Sequence, residues 1–287
     1  MLRFGPAGAS PLFYAQGGKS STAIPAWLAG MGLQAFEYQC SRGVNIGEET
    51  ARALGAEAAR YGISLSVHGP YYINLAAEGE TRENTKRHLM RSLRAAAWMG
   101  ARKVVFHPGA AGRNRAQALA RALALLEEVL AEAEADNLAE ITLAPETTGK
   151  QNQLGALDEV LALCRFGKRV VPTLDFAHLH AREGGTLTDA AAFRRVLEAV
   201  GEALGAAVLR DLHIHFSPIE YTAGGERRHR NLEEEGFGPA FAPLAEAILA
   251  CGAGGTVICE SADRQVADAL IYQKIWQQVS KEVHPGE

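Results

Sequence analysis

The stretch KVVFHPGAAGRNRAQALARALALLEEVLAEAEADNLAEITLAPETTGK (103–150) decides the fold. It opens on an apolar run, KVVFH (103–107), of strand length. A Pro-Gly turn follows. RAQALARALALLEEVLAEAEA (115–135) then repeats apolar residues at three- and four-residue steps, the period of an amphipathic helix. EITLAPE (140–146) is a second strand-length run. A strand, a helix and a strand in this order form a crossover unit whose two strands lie parallel.

The same alternation extends in both directions. Upstream, LRFG (2–5), AFEYQC (35–40) and SLSVH (64–68) read as strands, with helices over 21–31 and 83–100. Downstream, RVVPTLD (169–175), VLRDLHIHF (208–216) and TVICE (256–260) read as strands, with helices over 154–164, 190–204, 243–252 and 266–279. Eight strands with helices between them make an α/β chain that closes as a (β/α)8 TIM barrel, one domain over residues 1–287. No GxGxxG follows a strand and no Walker sequence is present, which argues against the common nucleotide folds.

Composition narrows the function. The chain has 287 residues, 47% of them hydrophobic and 22% charged, as in ordinary globular proteins. A net charge of −4 argues against a protein that coats nucleic acid by overall basicity, but leaves room for a local basic patch. Cys40, Cys164, Cys251 and Cys259 form no CxxC pair, so a thiolate zinc knuckle is not expected. Scattered cysteines and the lack of a spanning apolar run lead to the expectation of a cytoplasmic protein with no membrane partner.

In such a barrel, chemistry collects at the C-terminal ends of the strands. Here those ends carry His68, His107, Glu146, Asp175 with His178 close behind, His213 with His215, and Glu260. One histidine at a strand end is usually a hydrogen-bonded structural group. Six successive ends bearing imidazoles or carboxylates need a compensating charge, which a divalent cation supplies. Nitrogen and oxygen donors without thiolates suit Zn2+, Mn2+ or Fe2+. The set is too large for one tetrahedral ion and points to two or three, the arrangement that clamps both oxygens of a phosphoryl displacement.

SVHGPYYINL (66–75), FHPG (106–109), PETTGK (145–150), LDFAH (174–178) and ICES (258–261) carry a family resemblance. In order and spacing they resemble endonuclease IV, the metal-dependent apurinic/apyrimidinic endonuclease family of the xylose-isomerase-like barrels. The resemblance implies a base-excision-repair hydrolase that cuts the DNA phosphodiester 5′ to an abasic site and leaves a 3′-hydroxyl. It implies duplex DNA with abasic or 3′-blocked lesions as partner, Zn2+ as cofactor and a monomer. It makes His68 and His107 ligands of a first ion, with Glu146 bridging to a second. Asp175, His213 and Glu260 resemble the second ion's ligands, and His178 and His229 those of a third. Glu146 and Glu260 are then the catalytic carboxylates. Tyr71 and Tyr72 fall in the family's DNA-entering loop, and Arg42 in the region of another.

The stretch HIHFSPIEYTAGGERRHRN (213–231) departs from the family pattern. A gapless match makes His213 the strand-seven ligand, yet His215, two residues on, faces the same way and is an equal candidate. Where the family has an aspartate two residues before His229, this chain has Arg227, with Glu226 one step further back. Arg227 and Arg228 make the loop basic and suit phosphate contact. A sugar isomerase or epimerase using a rim metal on the same barrel is the alternative function. A barrel that binds DNA without turnover is a further one.

Overall fold

The structure, a computed structural model, describes residues 2–283. Eight parallel strands form the barrel: β1 (Leu2–Pro6), β2 (Ala35–Gln39), β3 (Ser64–His68), β4 (Lys103–Phe106), β5 (Thr142–Pro145), β6 (Thr173–Asp175), β7 (Leu212–Phe216) and, after a hairpin formed by β8 (Ile219–Thr222) and β9 (Gly225–His229), β10 (Gly255–Cys259). They pair as two arcs, β1-β10-β7-β6 and β2-β3-β4-β5. Single parallel bridges close the seams, Ala7 to Glu37 on one side and Leu143 to Val170 and Glu146 to Thr173 on the other. This is the expected TIM barrel. At the first seam Gly5 is required, because a Cβ there would sit 1.9 Å from the Ala35 carbonyl oxygen.

Period-two alternation sorts the side chains. On β7, Phe216 faces outward and packs edge-on against Phe241 and Tyr272, at 5.1 and 5.2 Å between ring centroids. His213 and His215 face the barrel axis, where both meet Glu37. On β2, Phe36 is buried in the apolar core, while Glu37 between Phe36 and Tyr38 points inward. The core is therefore apolar between strands and helices, and polar along the axis.

Helices Arg115–Ala135 and Ala190–Leu204 have the bounds their periodicity gives. Besides the short helices Pro11–Ala15 and Ala206–Leu209, two others were not read from sequence. Glu48–Tyr61 buries only Ala51, Leu54 and Ala58, too weak a stripe to stand out. Phe176–Arg182 is a seven-residue helix capped by Asp175. Strand six is shorter than expected because Pro172 has no N–H for the ladder, leaving residues 173–175. Residues 208–211 precede β7 as a helical turn and bend rather than as strand. The basic loop after strand seven is ordered as the β8–β9 hairpin. No described helix is long and apolar enough to cross a membrane.

Candidate metal centre

Register sets the height of each axial side chain. His215 pairs with Asp175, and Gln39 with His68, in one layer at the rim. His213 pairs with Thr173 and Thr256, and Glu37 with Ser66, one layer down. Two residues along a strand amount to about 7 Å. Of the two candidates on strand seven, His215 stands among the rim carboxylates, and His213, which the gapless match favours, lies beneath.

The rim donors form adjoining sets. His68, His107 and Glu146 gather with ligand atoms within 4.8 Å of one another, as do Glu146, Asp175, His215 and Glu260, and Asp175, His178, His229 and Glu260. Glu146 Oε2 lies 3.1 Å from His68 Nε2 and 3.3 Å from His107 Nε2. Its Oε1 lies 3.1 Å from His178 Nδ1 and 3.4 Å from His215 Nδ1. His215 Nδ1 is also 3.4 Å from Glu260 Oε1, and His229 Nε2 is 3.6 Å from Glu260 Oε2. Glu226 Oε2 comes to 3.4 Å from His178 Nε2, so the hairpin brings a carboxylate up to the histidine pair despite the altered spacing.

Local structure fixes which nitrogen each histidine presents. His68 Nδ1–H donates to the Gly69 carbonyl at 2.8 Å, and its Nε2–H donates to Glu146 Oε2 at 3.1 Å. His178 Nδ1–H donates to the Thr147 carbonyl at 3.0 Å, freeing Nε2. His229 Nδ1–H donates to Ser217 Oγ at 2.7 Å, because the Ser217 hydroxyl gives its own proton to the Pro218 carbonyl. Three imidazoles thus turn Nε2 into the cleft, the nitrogen that would ligate a metal once it gives up its proton. The hairpin that carries His229 docks where Gly225 takes φ +97 and a Cβ would strike the Gly149 carbonyl oxygen at 2.0 Å.

The charges are badly matched without a cation. Burial pushes Asp175 up to about 8, against the pull of His178 and with the repulsion of Glu260 and Glu146. Burial also opposes ionisation of Glu146 and Glu260, but the neighbouring histidines outweigh it. His107 and His215 hold Glu146 well below the usual carboxylate range, and His215 holds Glu260 at about 2. Burial would lower His68, yet its bond to Glu146 raises it to about 9. Glu146 Oε1, Asp175 Oδ2, His178 Nε2 and His215 Nδ1 are buried with no hydrogen-bond partner among the described residues. Orphaned donor atoms of both kinds, converging from three strand ends, fit divalent cations and fit an apolar or neutral ligand poorly.

A cleft of about 640 Å³ opens above the histidines, lined among others by Tyr71, Tyr72, Lys150 and Gln153. Tyr71 and Tyr72 are 62% and 55% exposed, so neither serves the barrel core. Arg42 is exposed in a loop whose Ser41 carbonyl accepts the Tyr71 N–H at 3.3 Å. Arg227 and Arg228 are exposed on β9 but bonded to Glu220, at 2.6 and 3.0 Å, which partly neutralises the basic patch. Sequence reading missed Glu37. A carboxylate between Phe36 and Tyr38 in an apolar strand was the available signal.

The fold is a parallel eight-stranded TIM barrel whose C-terminal rim gathers histidines and carboxylates that could hold metal ions. The chain belongs to the xylose isomerase-like TIM barrel family, which it matches over residues 25–279. It is 37% identical over 253 residues to an uncharacterized protein of Methanocaldococcus jannaschii, covering 87% of this chain and 89% of that one. It is 29% identical over 169 residues to endonuclease 4 of Thermus thermophilus, a match spanning 59% of this chain and 58% of the relative. Among solved structures, a D-tagatose 3-epimerase-like protein shares the fold with a TM-score of 0.73, 20% identity and coverage of 97% and 99%. Endonuclease IV of Thermus thermophilus does so with a TM-score of 0.66, 21% identity and coverage of 98% and 99%.

Proposed function

We propose that this protein is a metal-dependent phosphodiesterase that incises duplex DNA on the 5′ side of an abasic site, leaving a 3′-hydroxyl. One observation carries the reading: of four overlapping donor groups, three lie side by side at the rim, linked through Glu146, Asp175 and Glu260. An enzyme built around one cation has no use for His68, His107, His178 and His229 together. Similarity to proteins called endonuclease 4, in Thermus thermophilus and Ureaplasma parvum, supports the choice of substrate.

In this reading His68, His107 and Glu146 hold one ion, Glu146, Asp175, His215 and Glu260 a second, and His178 and His229 with Glu226 a third. Bound Zn2+, Mn2+ or Fe2+ would neutralise charge on the phosphoryl oxygens and acidify a water. Glu260, at the cleft wall, orients that water and accepts its proton. Lys150, in the same cleft, contacts a phosphate oxygen. Tyr71 and Tyr72 stack where a base is missing. Arg42 and the hairpin arginines flank the backbone.

The test is incision of a duplex carrying one abasic-site analogue, with metal content measured on the same sample. Incision 5′ to the lesion, lost with chelator and in Glu260→Gln, is the expected result. A loaded protein that cuts no such duplex overturns the reading. A second reading, a sugar isomerase or epimerase, is favoured by one observation: Glu220 already occupies Arg227 and Arg228. Turnover of a ketose by the loaded protein, with no incision, would establish it.

A further inference from the structure

Among the rim histidines, His215 is held differently. His68, His178 and His229 are fixed through Nδ1 by uncharged oxygens, two backbone carbonyls and a serine hydroxyl. His215 turns the other way: Nδ1 faces Glu146 and Glu260, and Nε2 lies 3.0 Å from Glu37 Oε1. Glu37 is fully buried and lies a layer below the rim. Around it, His213 Nε2–H donates to Oε2 at 2.7 Å, Ser66 Oγ–H to the same oxygen at 2.9 Å, and Gln39 Nε2–H to Oε1 at 3.1 Å. His213 in turn lines a cavity of about 600 Å³ at the opposite mouth of the barrel, with Lys103 and Asp211.

We infer that Glu37 is a positioning residue for the metal centre, and that His213 and Ser66 exist to hold it. The inference rests on the proposed metal reading of His215. Both carboxylate oxygens of Glu37 are already taken by donors from three strands, β2, β3 and β7. Glu37 does come within 4.8 Å of ligand atoms of His68, His215 and Glu260, but with both oxygens already bonded it is better placed to anchor the imidazole above it than to ligate an ion. A carboxylate behind a ligating histidine fixes the ring and tautomer and makes the ligating nitrogen more basic. At His68 and His229 the support at Nδ1 is a neutral oxygen, and the carboxylates near His178 Nδ1, Glu146 and Asp175, themselves belong to the donor sets, so the ion at His215 is the one this carboxylate tunes. A fully buried anion is costly unless bonded, which accounts for the ring of donors beneath the rim.

The test uses the full chain, stripped with chelator and titrated with Co2+. It reads the visible d–d absorption and the ions bound at saturation. Wild type and Glu37→Gln are expected to bind the same number of ions. In Glu37→Gln one ion should bind about 10- to 100-fold more weakly, with shifted d–d bands. Glu37→Asp should recover part of the affinity. His213→Gln, which keeps the carboxylate but removes one of its donors, should weaken the same ion by a smaller factor, and it carries the test if Glu37→Gln does not fold. Unchanged affinity and spectrum in both variants would reduce Glu37 to packing and overturn the inference. Loss of one ion at saturation would make Glu37 a direct ligand and also overturn it. A wild type that binds no Co2+ would instead defeat the metal reading on which the inference stands.

Discussion

Asp175 caps the helix that carries His178: its Oδ1 accepts the His178 backbone N–H at 2.7 Å, and its Oδ2 is left buried without a hydrogen-bond partner among the described residues. One side chain thus starts the helix and aims a free oxygen at the metal centre. The two roles separate in Asp175→Asn, since asparagine caps as well as aspartate. The expected outcome is a stripped protein at least as thermally stable as wild type, because a carboxylate repelled by Glu146 and Glu260 is gone. Metal uptake, read by elemental analysis, should fall by at least one ion per chain. A large drop in the melting temperature of the stripped variant would mean that the charge serves the fold.

The mismatch of charges predicts a pH-dependent gap between stripped and loaded protein. Asp175, raised from 3.8 to about 8, contributes stability that is full below pH 3.8 and lost as pH rises through 8. His68, raised from 6.5 to about 9, contributes stability that is full below 6.5 and lost through 9. A cation replaces the protons, so the loaded protein escapes both losses. Melting temperatures with and without chelator should diverge steadily from about pH 6 to about pH 9, the upper range of both titrations. A constant gap would contradict the assignment of these groups to the metal.

The barrel seam gives a prediction about stability alone. Alanine at Gly5 would drive a methyl into the Ala35 backbone, which belongs to β2 and has no side chain to move aside. Gly5→Ala is expected to cost about 3 kcal/mol or to prevent soluble expression. Chemical denaturation measures it. The same unfolding curve as wild type would show that β1 and β2 approach less closely than described.

The barrel was legible because its signals are local and repeated. Residues 115–135 bury Ala118, Ala122, Leu125, Leu126, Val129 and Ala133 on one stripe, and the sequence period locates that helix to the residue. Strand ends were legible too, since histidines and carboxylates interrupt apolar runs. What failed was height. His213 and His215 share a face, and only pairing with β6 and β10 tells which stands at the rim. Glu37 was illegible for a related reason: it sits mid-strand, and its importance arises from His213, 176 positions away. The hairpin escaped because its strands carry glycine and arginine and little apolar pattern, and its register is held by the loop at Gly149 and Lys150.

Tyr71 tests whether the cleft binds an unstacked nucleic acid. It is exposed, so Tyr71→Ala should leave global stability within about 0.5 kcal/mol. Its ring lies 6.1 Å from His68 and 5.7 Å from His107, directly over the first donor set. Loss of one stacking partner is worth about 1–3 kcal/mol, so kcat/KM on an abasic duplex should fall about 10- to 100-fold. The same kinetics as wild type on a lesion duplex would remove Tyr71 from the DNA-contacting surface.

Glu220 governs whether the hairpin arginines reach a phosphate backbone. Its carboxylate bonds Arg227, Arg228 and Arg230, which together hold it at about 2, so it stays ionised at any physiological pH. Arg227 and Arg228 remain 64% and 61% exposed at the side chain and can swing outward once released. Glu220→Gln removes the competing anion. If the hairpin faces DNA, two more cations become available to phosphates, and each contributes about 0.9 to the slope of log affinity against log salt. Duplex affinity of Glu220→Gln should rise several-fold at low salt, and the slope should steepen by about one to two. The slope is the decisive quantity, since a general rearrangement of the hairpin would weaken binding without steepening it. A variant with wild-type affinity and slope would mean that Arg227 and Arg228 face away from the duplex, leaving Lys150 and the rim itself to hold the backbone.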